Sequence, residues 1–259
     1  MQTITFPLLK LELNIDKTAF VIFGVPVYWY AILIVASIGI ALLLSKIQDG
    51  KYEIKFEDIL DLSIILIPIS FICARIYYVI FNINNYKNII DIIKIKDGGL
   101  AIYGGIIGGV VTSYLFCKKR KINLLDLLDY IVPFLALGQA IGRWGNFINI
   151  EAYGTETNLP WKMGIQVGNQ IQYVHPTFLY ESICNIIIFA VLSKISKKRK
   201  YKGQITYYYI VMYTFIRAII ENIRIDSLML YNFRISRNFI CFFICSILYN
   251  NSKKREQVP

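Results

Sequence analysis

The sequence predicts an all-α polytopic membrane protein, with about seven transmembrane helices and a small outward-facing polar cap. Three observations carry this expectation. The 259 residues are 56% hydrophobic and 17% charged, with mean hydropathy +0.51, too little polar material to coat a soluble domain of this length. Several apolar runs reach about 18 residues or more, the length that crosses a bilayer. The Lys and Arg residues behind the net charge of +11 cluster between those runs, at Lys118, Lys119, Arg120 and Lys121, at Lys194 to Lys202, and at Lys253, Lys254 and Arg255.

In chain order the spans are drawn at 21–45, 61–82, 98–117, 127–149, 176–194, 204–222 and 234–250. Residues 1–20 lack a basic region ahead of an apolar core and a small-residue cleavage site, so no cleaved signal peptide is expected. The first span itself directs insertion. The third opens on Gly98 and Gly99 and closes at the basic patch from Lys118. The fifth opens on Pro176, a residue suited to a first helical turn. The seventh has Arg237 and Asn238 near its start.

Seven spans put the termini on opposite sides. Loops 46–60, 118–126 and 194–203 and the C-terminal tail then share one side with 16 Lys/Arg, against 9 on the other. The richer side is expected to be cytoplasmic, with the N-terminus outside. Orientation therefore accounts for the basic charge, and no nucleic-acid partner is expected. The outward loops 83–97 and 150–175 are long enough for a small cap. The chain reads as a single membrane-embedded domain over 1–259, without the inverted repeat of common transporter folds. Five Cys, no CxxC pair and a single His give no zinc pattern, so neither metal nor cofactor is expected.

Four polar constellations interrupt the apolar runs. GRWGNFINIEAYG, residues 142–154, places Arg143, Asn146 and Asn149 three apart on one helix face, followed by Glu151 and Gly154. Ionisable groups inside a membrane mark function by default; the plainer reading is a helix end with Arg143 reaching outward. In YTFIRAIIENIR, Tyr213, Arg217, Glu221 and Arg224 form one stripe. Glu221 can pair with either Arg, or Arg217 can face an anionic ligand, and spacing alone leaves both open. DGGLAIYGGIIGG pairs Gly104 with Gly108 and Gly105 with Gly109, the spacing of close helix packing, which makes Tyr103 an interfacial aromatic. Its Gly98–Gly99 pair suits backbone that lines a polar cavity. HPTFLYES carries His175, Tyr180 and Glu181, with His175 read as a local hydrogen-bonding residue.

On the drawn topology all four lie at outward span ends, as does Tyr30, which argues for one site near the outer leaflet. Two Arg held by Asn and Glu suit a phosphate ester, because guanidinium matches phosphate oxygens in bidentate geometry. A phospholipid head group is the nearest abundant candidate.

These residues resemble the bacterial prolipoprotein diacylglyceryl transferase family. GRWGNFINIEAYG is similar to its signature, and GGLAIYGG, HPTFLYE and the Tyr-x-x-x-Arg-x-x-x-Glu-x-x-Arg stripe are similar to its other marks, in the same order. The resemblance implies a multi-pass enzyme of the bacterial cytoplasmic membrane. Its expected partners are phosphatidylglycerol, prolipoprotein signal peptides carrying a lipobox Cys, and the lipid bilayer. The diacylglyceryl group passes to the Cys thiol and glycerol phosphate leaves. Carried over, Arg143 and Arg217 are the phosphate clamps, and Asn146, Glu151, Gly154, Tyr30, Tyr213, Glu221 and Gly104 shape the substrate site. Asn149, His175 and Arg224 take secondary roles. The alternatives are a phospholipid-binding transporter, for which the inward halves of the spans look too apolar, and a non-catalytic lipid-binding protein.

Many family members carry a His where this chain has Tyr103. A tyrosine with an ordinary pKa near 10 is a poor base at neutral pH. The expected division places charge stabilisation on the Arg pair and orientation by hydrogen bonding on Tyr103. Tyr103→Phe therefore keeps measurable transfer. Complete loss of transfer with lipid binding intact contradicts that division.

Overall fold

A computed structural model describes residues 2–83, 86, 88, 92, 98–168, 170–225, 229–230 and 233–234. Among the described residues the chain forms six long helices: α1 (Trp29–Ile47), α2 (Phe56–Phe81), α3 (Ile102–Arg120), α4 (Leu124–Asn149), α5 (Thr177–Ile195) and α6 (Gln204–Glu221). Four of them, α1, α2, α4 and α5, combine the length and apolarity needed to cross a membrane. The protein is thus mostly helical and of membrane type. The seventh drawn span, 234–250, lies outside the described residues except for Arg234, and most of loop 83–97 lies outside them too.

The all-α expectation is corrected at the N-terminus and in the 150–175 segment, both of which contain strands. β1 (Gln2–Phe6), β2 (Leu11–Ile15), β5 (Met163–Val167) and β6 (Gln170–Val174) build a four-stranded antiparallel sheet in the order β2-β1-β5-β6. β3 (Thr18–Ile22) and β4 (Val25–Tyr28) form a separate hairpin, and β7 (Met229–Leu230) pairs with β8 (Phe233–Arg234). The physical signal was local. QTITF and LELNI alternate apolar with polar and are rich in β-formers, a period-two pattern too short for a span. The first helix starts at Trp29 rather than 21 because Phe23 and Gly24 both have positive φ, 48° and 79°. Two such residues make the tight turn that lets β3 fold back on β4.

The described chain divides into two compact units, residues 1–41 with 131–259, and residues 42–130. In the first, the buried side chains of Ile4, Met163, Ile165 and Val174 from the sheet pack with Phe147 of α4 and Phe178 of α5. A second core joins Val132 and Ala136 of α4, Ile188 and Leu192 of α5, and Ile205 and Tyr209 of α6. Asn123 caps the start of α4, its side-chain oxygen accepting from the Leu125 N–H at 2.9 Å.

In the second unit α3 packs on α2 through its glycines. A Cβ at Gly104 would lie 2.9 Å from the Ala74 Cα, and one at Gly108 would lie 2.7 Å from the Cys73 Cβ. At Gly105 the nearest atom stands 3.6 Å away, an ordinary contact. The GxxxG spacing thus serves close helix approach on the Gly104 and Gly108 face. Gly104→Ala is expected to cost about 1–3 kcal/mol, the usual penalty for overpacking, while Gly105→Ala stays near neutral. Thermal unfolding of both variants in detergent checks the contrast.

Candidate functional site

In the first unit, α4, α5 and α6 each bring charged side chains to one place. Glu181 on α5 is 3% exposed and stands at the centre. Arg143 of α4 forms an ion pair with one of its carboxylate oxygens. Arg217 of α6 reaches the other at 3.2 Å, and Arg224, just past α6, at 3.5 Å. Arg217 also pairs with Glu221, one turn further along α6, at 2.8 Å. Of the pairings that spacing allows for Glu221, the one with Arg217 is present. Three guanidiniums thus converge on the buried carboxylates of Glu181 and Glu221.

The signature segment supports Arg143 from the other side. Arg143 Nη1 donates to the Asn146 side-chain oxygen at 3.2 Å, and Asn146 Nδ2 donates to Glu151 at 2.8 Å. Asn149 Nδ2 donates to the same Glu151 oxygen at 3.3 Å. This depends on an unusual turn, since Ile150 and Ala152 adopt φ of 52° and 57°. A β-branched residue seldom occupies that region, and such strain costs of order 1–3 kcal/mol per residue. The turn brings the Glu151 N–H onto the Asn146 carbonyl at 3.0 Å, and Thr177 Oγ1 donates to the Ala152 carbonyl at 2.5 Å.

Gly154 follows as a crossing point. Its N–H donates to the His175 carbonyl at 3.0 Å, and the next N–H, of Thr155, donates to the Ile223 carbonyl at 2.8 Å. A Cβ at Gly154 would come 2.7 Å from the His175 Cβ and 3.0 Å from Ile223 and Thr177. Only glycine lets the three segments meet so closely. His175 Nδ1 lies 3.3 Å from the Tyr180 hydroxyl, which accepts from Trp161 Nε1 at 2.7 Å. Burial pushes the His175 imidazole below the usual histidine range.

Two tyrosines flank the cluster. The Tyr30 ring lies against the backbone of Gly145, two residues past Arg143, where no Cβ would fit. Tyr213 stacks on Tyr209, with ring centroids 5.6 Å apart, one turn before Arg217. Tyr103 and Gly104 belong to the second unit. There Tyr103 is half exposed, with its ring centroid 6.3 Å from that of Tyr77.

In the same unit buried Arg75 accounts for Gly98 and Gly99, which have φ of 84° and 85°. Its Nη1 donates to both carbonyls, at 2.7 and 2.9 Å, and its Nε to the Ile92 carbonyl at 2.8 Å. The backbone break expected to line a polar cavity thus receives an arginine. The sequence reading assigned no role to Arg75, and it passed over Glu181 as the centre of the arginine cluster. A signal for Glu181 existed: Glu181, Ser182 and Asn185 put polar groups inside an apolar helix, at positions that are all buried here.

Chemically, guanidiniums fixed in place by carboxylates are an arrangement that suits an anion. The guanidiniums carry more N–H donors than two carboxylates satisfy. Their side chains retain 20%, 21% and 10% exposure at Arg143, Arg217 and Arg224.

A model of the family described as prolipoprotein diacylglyceryl transferase matches residues 17–250. A phosphatidylglycerol–prolipoprotein diacylglyceryl transferase of Clostridioides difficile strain 630 is 47% identical over 216 residues, covering 83% of this chain and 86% of that protein. The similarly named protein of Finegoldia magna is 46% identical over 224 residues, 86% of this chain and 89% of its own length. That of Clostridium novyi strain NT is 44% identical over 251 residues, 93% and 98% of the two chains.

Two outcomes follow from the geometry. Glu181→Gln removes the charge that holds the guanidiniums together. Partial exposure of the arginines sets the loss at about 3 kcal/mol, the low end for a broken buried pair. Chemical unfolding in detergent measures it, and a change within ~0.5 kcal/mol, typical of a surface site, contradicts the arrangement. His175 gives a pH dependence. Above about pH 6.5 the imidazole is neutral in both states and its contribution is complete. On acidification the unfolded chain takes up the proton first, so stability falls. His175→Gln flattens that part of a Tm-against-pH profile.

Proposed function

This chain belongs to the prolipoprotein diacylglyceryl transferase family, and on that premise we propose that it transfers the diacylglyceryl group of phosphatidylglycerol to the lipobox Cys thiol of prolipoproteins. As the sulfur–carbon bond forms, the bond from glyceryl carbon to phosphate oxygen breaks. Glycerol phosphate leaves with the electron pair, and the thiol proton is released. The observation that carries this reading is the gathering of Arg143, Arg217 and Arg224 around buried Glu181, with their side chains still partly exposed.

The lipid phosphate docks on the open face of that cluster, with Arg143 and Arg217 as clamps. Charge develops on the phosphate as it leaves, so fixed donors aimed there lower the barrier without reorganising. Asn146 and Glu151 hold Arg143 in its rotamer, while Gly154 keeps the signature loop close to α5 and the chain after α6. Glu221 restrains Arg217, and Arg224 adds charge behind it. Tyr30 and Tyr213 border the lipid, Gly104 lets α2 and α3 pack closely within their own unit, and Tyr103 orients the reacting groups. Asn149 steadies Glu151, and His175 serves the loop rather than the chemistry.

The chain acts as one membrane-embedded domain in the bacterial cytoplasmic membrane, N-terminus outside and C-terminus cytoplasmic, with the site toward the outer leaflet. The skew of Lys and Arg, 16 against 9, supports that orientation. The β-sheet of residues 2–15 and 163–174 then forms the outward polar cap.

Purified protein incubated with phosphatidylglycerol and a lipobox peptide is expected to add one diacylglyceryl mass to the peptide Cys. No mass gain, under conditions where the Clostridium novyi relative works, overturns the reading. Arg143→Ala and Arg217→Ala are each expected to lower kcat about 100-fold or more, the usual cost of a lost transition-state donor, without lowering expression.

A further inference from the structure

Outside the arginine cluster, the first unit holds an open groove of about 650 Å³ lined by Glu156, Thr157, Gln170, Ile171, Gln172 and Tyr173, among others. That volume falls within the range of ligand sites, yet the groove is lined mainly by amides, hydroxyls and one carboxylate. It is shaped by backbone pairing. The chain from Gly154 runs antiparallel alongside β6, with Glu156 opposite Val174 and the Thr157 N–H donating to the Tyr173 carbonyl at 3.0 Å. Among the described residues no further strand pairs with the outer side of Glu156 and Thr157. A polar groove beside a strand edge suits an extended peptide, whose groups hydrogen-bond both the edge backbone and the lining side chains, Glu156 and Gln172 among them.

Position identifies the peptide. Glu156 is two residues past Gly154, about 7 Å of extended chain, and Gly154 is bridged to Arg224 of the anion cluster. We propose that the groove binds the extended polar segment of the acceptor protein that directly follows the lipobox Cys, an inference that rests on the transferase reading above. The signal peptide before the Cys is apolar and stays in lipid, whereas the chain after it emerges into water beside the site. The Glu156 carboxylate is already engaged by Gln172 Nε2 at 2.6 Å. With its one carboxylate already engaged and the rest of its polar lining made of amides and hydroxyls, the groove suits uncharged hydrogen-bonding residues such as Ser, Asn and Gly. Anchoring this segment fixes how far the thiol extends toward the phosphate and adds affinity for the acceptor alone.

The test compares two peptides, one ending at the Cys and one extended by five Ser, Asn and Gly residues, with the intact protein and with Glu156→Ala/Gln172→Ala. In the wild type the extension lowers the peptide KM about three- to tenfold, as a few added hydrogen bonds would. The double variant loses that gain, while the KM for phosphatidylglycerol and transfer to the short peptide stay unchanged. Equal KM for the two peptides in the wild type, or an equal rise for both in the variant, overturns the proposal. Binding of the same peptides with Ser in place of Cys, read by fluorescence anisotropy, separates the two readings. If no peptide is acylated but the extension still tightens binding through Glu156 and Gln172, the groove stands and the transferase reading falls. If the extension leaves binding unchanged, the groove proposal falls whatever the activity.

Discussion

Glu181 sits 3% exposed on an apolar helix, where a carboxylate is costly unless cations surround it. Arg143, Arg217 and Arg224 surround it, Arg143 from the end of α4 and the other two from the end of α6 and the residues just past it. The dependence runs both ways. Three arginines brought together without an acid would repel one another. The buried carboxylates keep the guanidiniums assembled while part of each arginine side chain stays exposed. On the proposed function, this is why the phosphate meets a prearranged site instead of having to gather it.

The rest of the first unit can be understood as what that cluster requires. α4 must end where Arg143 faces Glu181, so the strained turn at Ile150 and Ala152 folds Glu151 back onto Asn146 and Asn149. The chain after α6 must bring Arg224 to the start of α5, and the close approach at Gly154 holds it there. The sheet packs over Phe147 and Phe178, at the end of α4 and the start of α5, and fixes those two ends against each other. Strain at the loop is sustained because packing and hydrogen bonds on every side determine it.

Much of this was legible in the sequence, for definite reasons. Long apolar runs gave α1, α2, α4 and α5 to within several residues, because hydrocarbon length and hydropathy dominate there. Arg143, Asn146, Asn149 and Glu151 declared themselves by sitting where a membrane helix should be apolar. The strands of residues 2–28 were missed because a search for spans discards short alternating segments, although QTITF carried the period-two pattern. Glu181 was seen but not placed, since helical spacing relates residues within one helix and says nothing of which helices face each other. The same limit hid Arg75, whose partners Gly98 and Gly99 lie more than 20 residues away. A glycine pair looked like a cavity lining when its carbonyls were occupied by an arginine.

The central claim is that Glu181 couples Arg143 to Arg217. A double-mutant cycle on Arg143→Ala and Arg217→Ala, read as phosphatidylglycerol affinity, measures it directly when repeated in a Glu181→Gln background. The account predicts losses that are strongly non-additive with Glu181 present and additive once it is Gln. Additive losses in the wild-type background would mean that the two arginines act independently, and would contradict it.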